Sequence, residues 1–218
     1  MSDVAVLVPM LGRPHRVEPL LESITATTPG ARVLFLLSTG DVAVHEAVTV
    51  AGADHLDIDG PSCGDYARKI NTGLRHTVEP LLFLGADDLR FHPGWLEAAT
   101  AKLAPGVGVV GTNDLGSPRV IAGNHATHSL VTRDYAERFG TIDEPGKILH
   151  EGYPHEYVDD ELVGTAKHRG AWAFAVDSHV EHLHPAWGKA PTDGMYQRQR
   201  SRMAAGRPLY EARKHLWT

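Results

Sequence analysis

The chain has 218 residues, 42% of them hydrophobic and 22% charged, with a formal net charge of −6. That size suits one domain with at most a small appendage, and the net acidity excludes a protein that grips polyanions with its whole surface. The single cysteine, Cys63, excludes an intrachain disulfide and a thiolate zinc site. The N-terminus lacks a basic, apolar leader, and no run approaches the roughly 20 apolar residues of a membrane span, so the expectation is a cytoplasmic protein.

Residues 4–8 form an apolar run closed by Pro9 and read as a first buried strand. Leu11, Gly12, Arg13 and Pro14 form a loop, and Pro14 suits the first turn of a helix. Val17, Leu20, Leu21 and Ile24 follow at helical spacing until Pro29 and Gly30 stop the pattern. Residues 32–37 read as a second buried strand, with Ser38, Thr39, Gly40 and Asp41 as a polar loop at its end. A short helix is expected over 42–50 and a third strand over 55–58. Tyr66, Ile70 and Leu74 share one face of a further helix. Then Leu81, Leu82, Phe83 and Leu84 run through Gly85 and Ala86 into Asp87 and Asp88, a buried strand that emerges onto two carboxylates. Strands alternating with helices argue for an α/β fold, with a mostly parallel central sheet and helices on both faces.

The second half is less regular. A helix is expected over 93–103, short strands over 107–111 and 119–122, and a helix over 133–139 capped by Gly140. Another helix is expected over 159–169, capped by Gly170, and strands over 171–176 and 179–184. Beyond Gly194 the composition turns basic, with Arg198, Arg200, Arg202, Arg207, Arg213 and Lys214. Tyr196, Tyr210 and Trp217 predict that this tail packs on the main domain. Neither the dinucleotide G-x-G-x-x-G nor the phosphate-binding G-x-x-x-x-G-K-[ST] pattern is present, which weakens dehydrogenase and ATPase readings.

In open α/β sheets, ligands bind at the carboxyl ends of the strands. Asp87 and Asp88 stand at such an end, and paired carboxylates there suit a hard divalent cation that neutralises a diphosphate. His182 and His184 alternate and would share a side if their segment is a strand. Asp159, Asp160 and Glu161 open a predicted helix, where its dipole favours acids.

The chain resembles a family 2-type glycosyltransferase of the GT-A fold. The resemblance rests on the first strand with Pro9, Arg13 and Pro14, on Ala67 to Gly73 as an A-x-x-x-N-x-G helix, and on Leu82 to Asp88 with Pro93, Gly94, Trp95 and Leu96 behind them. Residues 139–144, and 159–162 followed by Gly170, extend it across most of the first 190 residues. The resemblance implies a transferase that moves a sugar from a nucleoside diphosphate sugar, UDP-sugar above all, to an acceptor hydroxyl with Mn2+ or Mg2+. It implies a nucleotide-binding half over 1–90, an acceptor half over 91–190 and a basic C-terminal segment over 191–218 packed against both.

By the same resemblance Asp87 and His184 are the metal ligands, with Gly85 where the first Asp of the D-x-D signature would stand. Asp159 matches the family's catalytic carboxylate, with Asp160 beside it and Val158 in place of a Glu. Donor contacts fall to Pro9, Arg13, Ser38, Asp57, Arg68, Lys69 and Asp88. Asn124, His125 and His128 lie on the acceptor side, and His150, Glu151, His155 and Glu156 read as an active-site loop. The acceptor class stays open among glycan, protein, nucleic-acid base and small molecule. Two rival readings remain. One is a nucleotidyltransferase of related fold, for which residues 11–14 make a poor Gly-rich loop. The other is a noncatalytic nucleotide- or sugar-binding module, suggested by Gly85 and Val158.

Overall fold

The computed structural model describes residues 3–60 and 65–218; Met1, Ser2 and Cys63 lie outside the described residues. Only a mid-sheet position buries both faces of an apolar run, and β1 (Val4–Pro9) takes that position. Val4, Val6 and Val8 face one core layer, and Ala5 and Leu7 face the other. β2 (Arg32–Ser38) and β3 (Asp54–Ile58) extend the sheet on one side of β1, and β4 (Leu81–Leu84) on the other, all in parallel register. α1 (Val17–Thr27) and α2 (Val42–Val50) cover the first layer, and α3 (Tyr66–His76) covers the second.

Two residues of α3 explain its close seat. A Cβ on Gly73 would sit 3.0 Å from the Leu7 side chain, so the absence of one lets the helix touch β1. Asn71 donates to the carbonyl of Leu149 at 2.8 Å and accepts from the N–H groups of Ile148 and Leu149 at 2.9 and 3.1 Å. It thereby fastens a distant loop to the helix.

Beyond β4 the sheet turns mixed. The further strands are β5 (Leu89–Phe91), β6 (Val109–Asn113), β7 (Ser129–Thr132) and β8 (Trp172–His182). β7 runs antiparallel to β4 and β6, β8 parallel to β6, and β5 antiparallel to β8. The eight-stranded order is β3-β2-β1-β4-β7-β6-β8-β5. α4 (Trp95–Thr100) packs in the first layer. α6 (Arg133–Arg138) and α7 (Val158–His168) pack in the second, while α5 (Pro118–Ile121) is one short turn.

Several expectations are corrected. The strand over 119–122 is helical, because Pro118 sits at the first helical position and Asp114 caps the preceding turn, accepting from Gly116 and Ser117 at 2.9 and 2.8 Å. The two strands over 171–176 and 179–184 are one strand, β8. It carries extra residues where its register against Thr112 and Asn113 shifts, and it stops at His182. β5 and β7, at three and four residues, had no expectation. The helix over 93–103 contracts to α4, which starts after Gly94 at a φ of +81°.

The tail forms α8 (Gly194–Gln197) and α9 (Gln199–Arg213). Tyr210 stacks on Tyr157 with ring centroids 4.8 Å apart. Arg213 forms paired hydrogen bonds with Glu161 (2.9 and 2.7 Å) and with Asp143 (2.8 and 2.9 Å). Trp217 fills the space beside Gly164, where a Cβ would come within 2.2 Å of the indole. No helix among the described residues is long and apolar enough to cross a membrane.

Candidate active site

β1 and β4 end side by side, and a cleft of about 360 Å3 opens over their carboxyl ends. Asp87 and Asp88 form part of its floor, both buried. Behind them lies Arg13, also buried, in the turn that follows β1. Its Nη1 donates to Asp87 at 2.9 Å and lies 3.7 Å from Asp88. Its Nε and Nη2 donate to the two oxygens of Asp193, at 2.8 and 2.9 Å. The Tyr196 ring lies 4.1 Å from the guanidinium, and its hydroxyl donates to Asp88 at 2.7 Å. The imidazole of His182 meets the same Asp88 oxygen at 3.3 Å.

These neighbours split the two acids. Burial, then the charge of Asp88, pushes Asp87 up to about 7 against the pull of Arg13. Burial also opposes ionisation of Asp88. The charge of His182 and hydrogen bonds from His182 and Tyr196 outweigh it, and the pKa of Asp88 falls. Asp88 is therefore the ionised member, and in turn it raises the pKa of His182 against the effect of burial.

Histidines form the next wall. His128 is pushed down to about 4 by burial, then by His182, and is neutral. Its Nδ1 lies 3.0 Å from the carbonyl of Leu84, an acceptor only, so the proton sits there. Nε2 is then a buried lone pair, without a hydrogen-bond partner among the described residues. His184 lies past the end of β8, where its Nδ1 accepts from the N–H of Ala186 at 3.1 Å. His182 and His184 are thus not an alternating strand pair, yet both line the cleft.

The opposite wall is the start of α7. Tyr157, just before it, has a φ of +75°, a left-handed backbone that costs a non-glycine residue energy and recurs where function fixes geometry. Asp159 accepts from or pairs with His125 Nε2 at 3.0 Å, and Asp160 pairs with Arg119 at 2.7 Å. Burial works against the charge of Asp159, but the His125 contact outweighs it and lowers its pKa. Asp160 is raised by burial and by Asp159.

The structure brings Asp87, Asp88, His184, Asp159, Asp160, Pro9 and Lys69 to this one cleft, and Arg13 directly beneath it. Lys69 is committed there: its Nζ donates to the carbonyl of Met10 at 2.8 Å, and burial lowers its pKa. Ser38, Asp57 and Arg68 do not line the cleft. Ser38 is buried at the end of β2 with its hydroxyl unpartnered among the described residues. Asp57 points toward His45 at 3.5 Å, and Arg68 is held by Asp65 and by the carbonyl of Asp59. His155 and Glu156 line the cleft, whereas Glu151 accepts from Asn71 at 2.9 Å. The sequence reading missed Asp193, and it placed Tyr196 only as a packing residue. A D-x-x-Y pair in the tail was the sole available signal.

No protein-family profile matches the sequence, and no curated protein does. Solved structures do match. A mannosyltransferase from Pyrobaculum calidifontis, in complex with GDP-Man and Mn2+, is similar over 98% of this chain and 68% of its own, with a TM-score of 0.66 at 18% identity. Glucosyl-3-phosphoglycerate synthase from Mycobacterium tuberculosis, in complex with Mn2+, UDP and glucosyl-3-phosphoglycerate, is similar over 96% of this chain and 79% of its own, with a TM-score of 0.64 at 14% identity. The chain therefore has the GT-A glycosyltransferase fold, as the sequence resemblance implied.

Proposed function

We propose that this protein is a metal-dependent glycosyltransferase that moves a sugar from a nucleoside diphosphate sugar to an acceptor hydroxyl. The observation that carries the reading is one cleft, at the carboxyl ends of the strands, that gathers Asp87, Asp88, His182 and His184 opposite the His125–Asp159 pair. The structures of similar fold hold GDP-Man or UDP with Mn2+, so a UDP- or GDP-sugar is the donor class.

The donor atoms in the cleft are of the types a divalent metal takes. Carboxylate oxygens with imidazole nitrogens suit Mn2+, and the buried lone pair of His128 in the cleft lining adds a further nitrogen. Asp87 and His184 would hold the ion, which when bound supplies the positive charge that stabilises the departing diphosphate. Arg13 holds Asp87 in place through one carboxylate oxygen, Oδ1. Tyr196 and His182 keep Asp88 ionised and fixed in orientation. Asp159, held by His125 with a lowered pKa, accepts the hydrogen bond of the acceptor hydroxyl and aims its oxygen into the cleft. Residues 1–90 carry the donor side, residues 91–190 the acceptor side, and the 191–218 segment supplies Asp193 and Tyr196 to the floor.

The test is nucleotide-sugar hydrolysis with Mn2+ across UDP- and GDP-sugars, in wild type and Asp87→Ala. The wild type should turn over at least one donor, and the variant should be slower by about 10²-fold, as for loss of one charge-stabilising group. Turnover of no donor overturns the enzyme reading; an Asp87→Ala variant as fast as wild type overturns the metal assignment.

A further inference from the structure

Away from the cleft, two imidazoles and a carboxylate converge on the edge of the sheet. His55 and Asp57 are two residues apart on β3, so both leave the same face. Leu56 and Ile58 point into the opposite core layer, so that face is the one covered by α2. His45 comes from α2. One ligand atom from each of the three lies within 4.8 Å of the others.

A simple ion pair explains this poorly. The His45 Nε2 to Asp57 Oδ2 distance is 3.5 Å, long for a hydrogen bond of this kind. It is close to the roughly 3.3–3.4 Å that separates two ligands of a tetrahedral ion with bonds of about 2.0–2.1 Å. The His45 and His55 rings meet edge-on, with centroids 4.9 Å apart and planes at 81°. Two charged imidazoles at that spacing would repel, whereas two neutral ones offer lone pairs. Arg32 takes the nearby Asp54 at 2.9 Å, which leaves Asp57 as the carboxylate for both rings. The ligands stand on a strand and a helix, a more rigid support than loops.

We propose that His45, His55 and Asp57 bind one zinc-class ion (Zn2+, Co2+ or Ni2+) that fastens α2 to the edge strand β3. Two nitrogens and one oxygen, without sulfur, select such ions over Ca2+ and Mg2+, and a fourth position is left for water. The ion strengthens the sheet edge beside the loop where Asp41 accepts from Gly12 at 2.6 Å. It is a structural fastener, independent of the ion proposed for the cleft.

The experiment is a titration of the metal-free full chain with Co2+, read by the visible d–d absorption of a low-symmetry four-coordinate ion and reversed by Zn2+. Wild type should develop the band. His55→Gln and His45→Gln should each weaken binding by at least ~10-fold, the low end of what losing even an outer-shell partner costs. His184→Gln, at the ion proposed for the cleft, and His125→Gln, at the other His/Asp group with converging ligand atoms, should each leave the band intact. Zn2+ at about 100 times its Kd should raise the wild-type Tm by about 5–11 °C and leave that of His45→Gln unchanged. His45 and Asp57 are about half exposed, so substitution at either keeps the fold, which circular dichroism checks. No band in wild type overturns the proposal. So does a band that survives both substitutions in a His184→Gln background, or one abolished by His184→Gln or His125→Gln instead.

Discussion

Gly85→Ala isolates why this chain lacks the first carboxylate of its strand-end signature. Gly85 follows β4 and donates its N–H to the carbonyl of Leu7 at 2.8 Å. A Cβ at that position would lie 2.9 Å from the same oxygen, with Val8 and Val6 side-chain carbons at 3.5 and 3.6 Å. The obstacle is backbone, and Leu7 cannot retreat, because β1 is paired with β2 on one side and β4 on the other. Forcing one extra carbon into such a site costs about 1–3 kcal/mol. For a domain of this size each kcal/mol lowers Tm by about 2–4 °C. Gly85→Ala should therefore melt about 2–12 °C below wild type, and Gly85→Asp lower still, since it adds a charge beside Asp87. Differential scanning calorimetry and urea unfolding would measure both. A Gly85→Ala protein that melts within about 1 °C of wild type would refute the steric argument. It would leave the missing carboxylate as a free choice of the sequence.

Two further outcomes follow from buried charge. Arg213→Met leaves Glu161, whose side chain is 3% exposed, with the Tyr153 hydroxyl in place of its cation; unfolding in urea should show a loss of about 3–5 kcal/mol, and adding Glu161→Leu should recover part of it. His155 is held down to about 4 by burial, then by Arg202, against an ordinary 6.5. Between those values the unfolded chain binds the proton and the folded chain resists it, so this contribution to stability falls as pH drops from 6.5 toward 4. From pH 7 to pH 5 the linked loss is about 2 kcal/mol. His155→Gln should lose correspondingly less over that interval, and equal pH slopes for the two proteins would contradict the assignment.

The first half of the fold was legible because each strand is an apolar run with buried neighbours on both faces and each run ends in a polar loop. β1, β2, β4, α1 and α2 appear within a residue or a few of where their patterns put them. The second half obeys pairings that leave short marks. Three residues suffice for β5 because β8 supplies its ladder, and Val120 and Ile121 look like strand until Pro118 is given its place at a helix start. The acids at 87 and 88 stood out because they adjoin an apolar run. Asp193 did not, because what makes it part of the site is an arginine far away in the chain. His184 drew the eye as the end of an alternation, but β8 ends two residues earlier, and His182 is the one that grips Asp88.

The clip between Arg13 and Asp193 spans 180 residues of sequence. At synthesis rates of about 5–20 residues per second, its two halves are made roughly 9–36 s apart. In the later part of that interval Arg13, Asp87 and Asp88 all exist on the growing chain, while the residues that close beneath them do not. The floor of the cleft is thus finished only after every strand of the sheet has been made. A chain that stops after β8 but before residue 193 has every strand and both acids, but lacks Asp193 and Tyr196, the partners of Arg13 and Asp88.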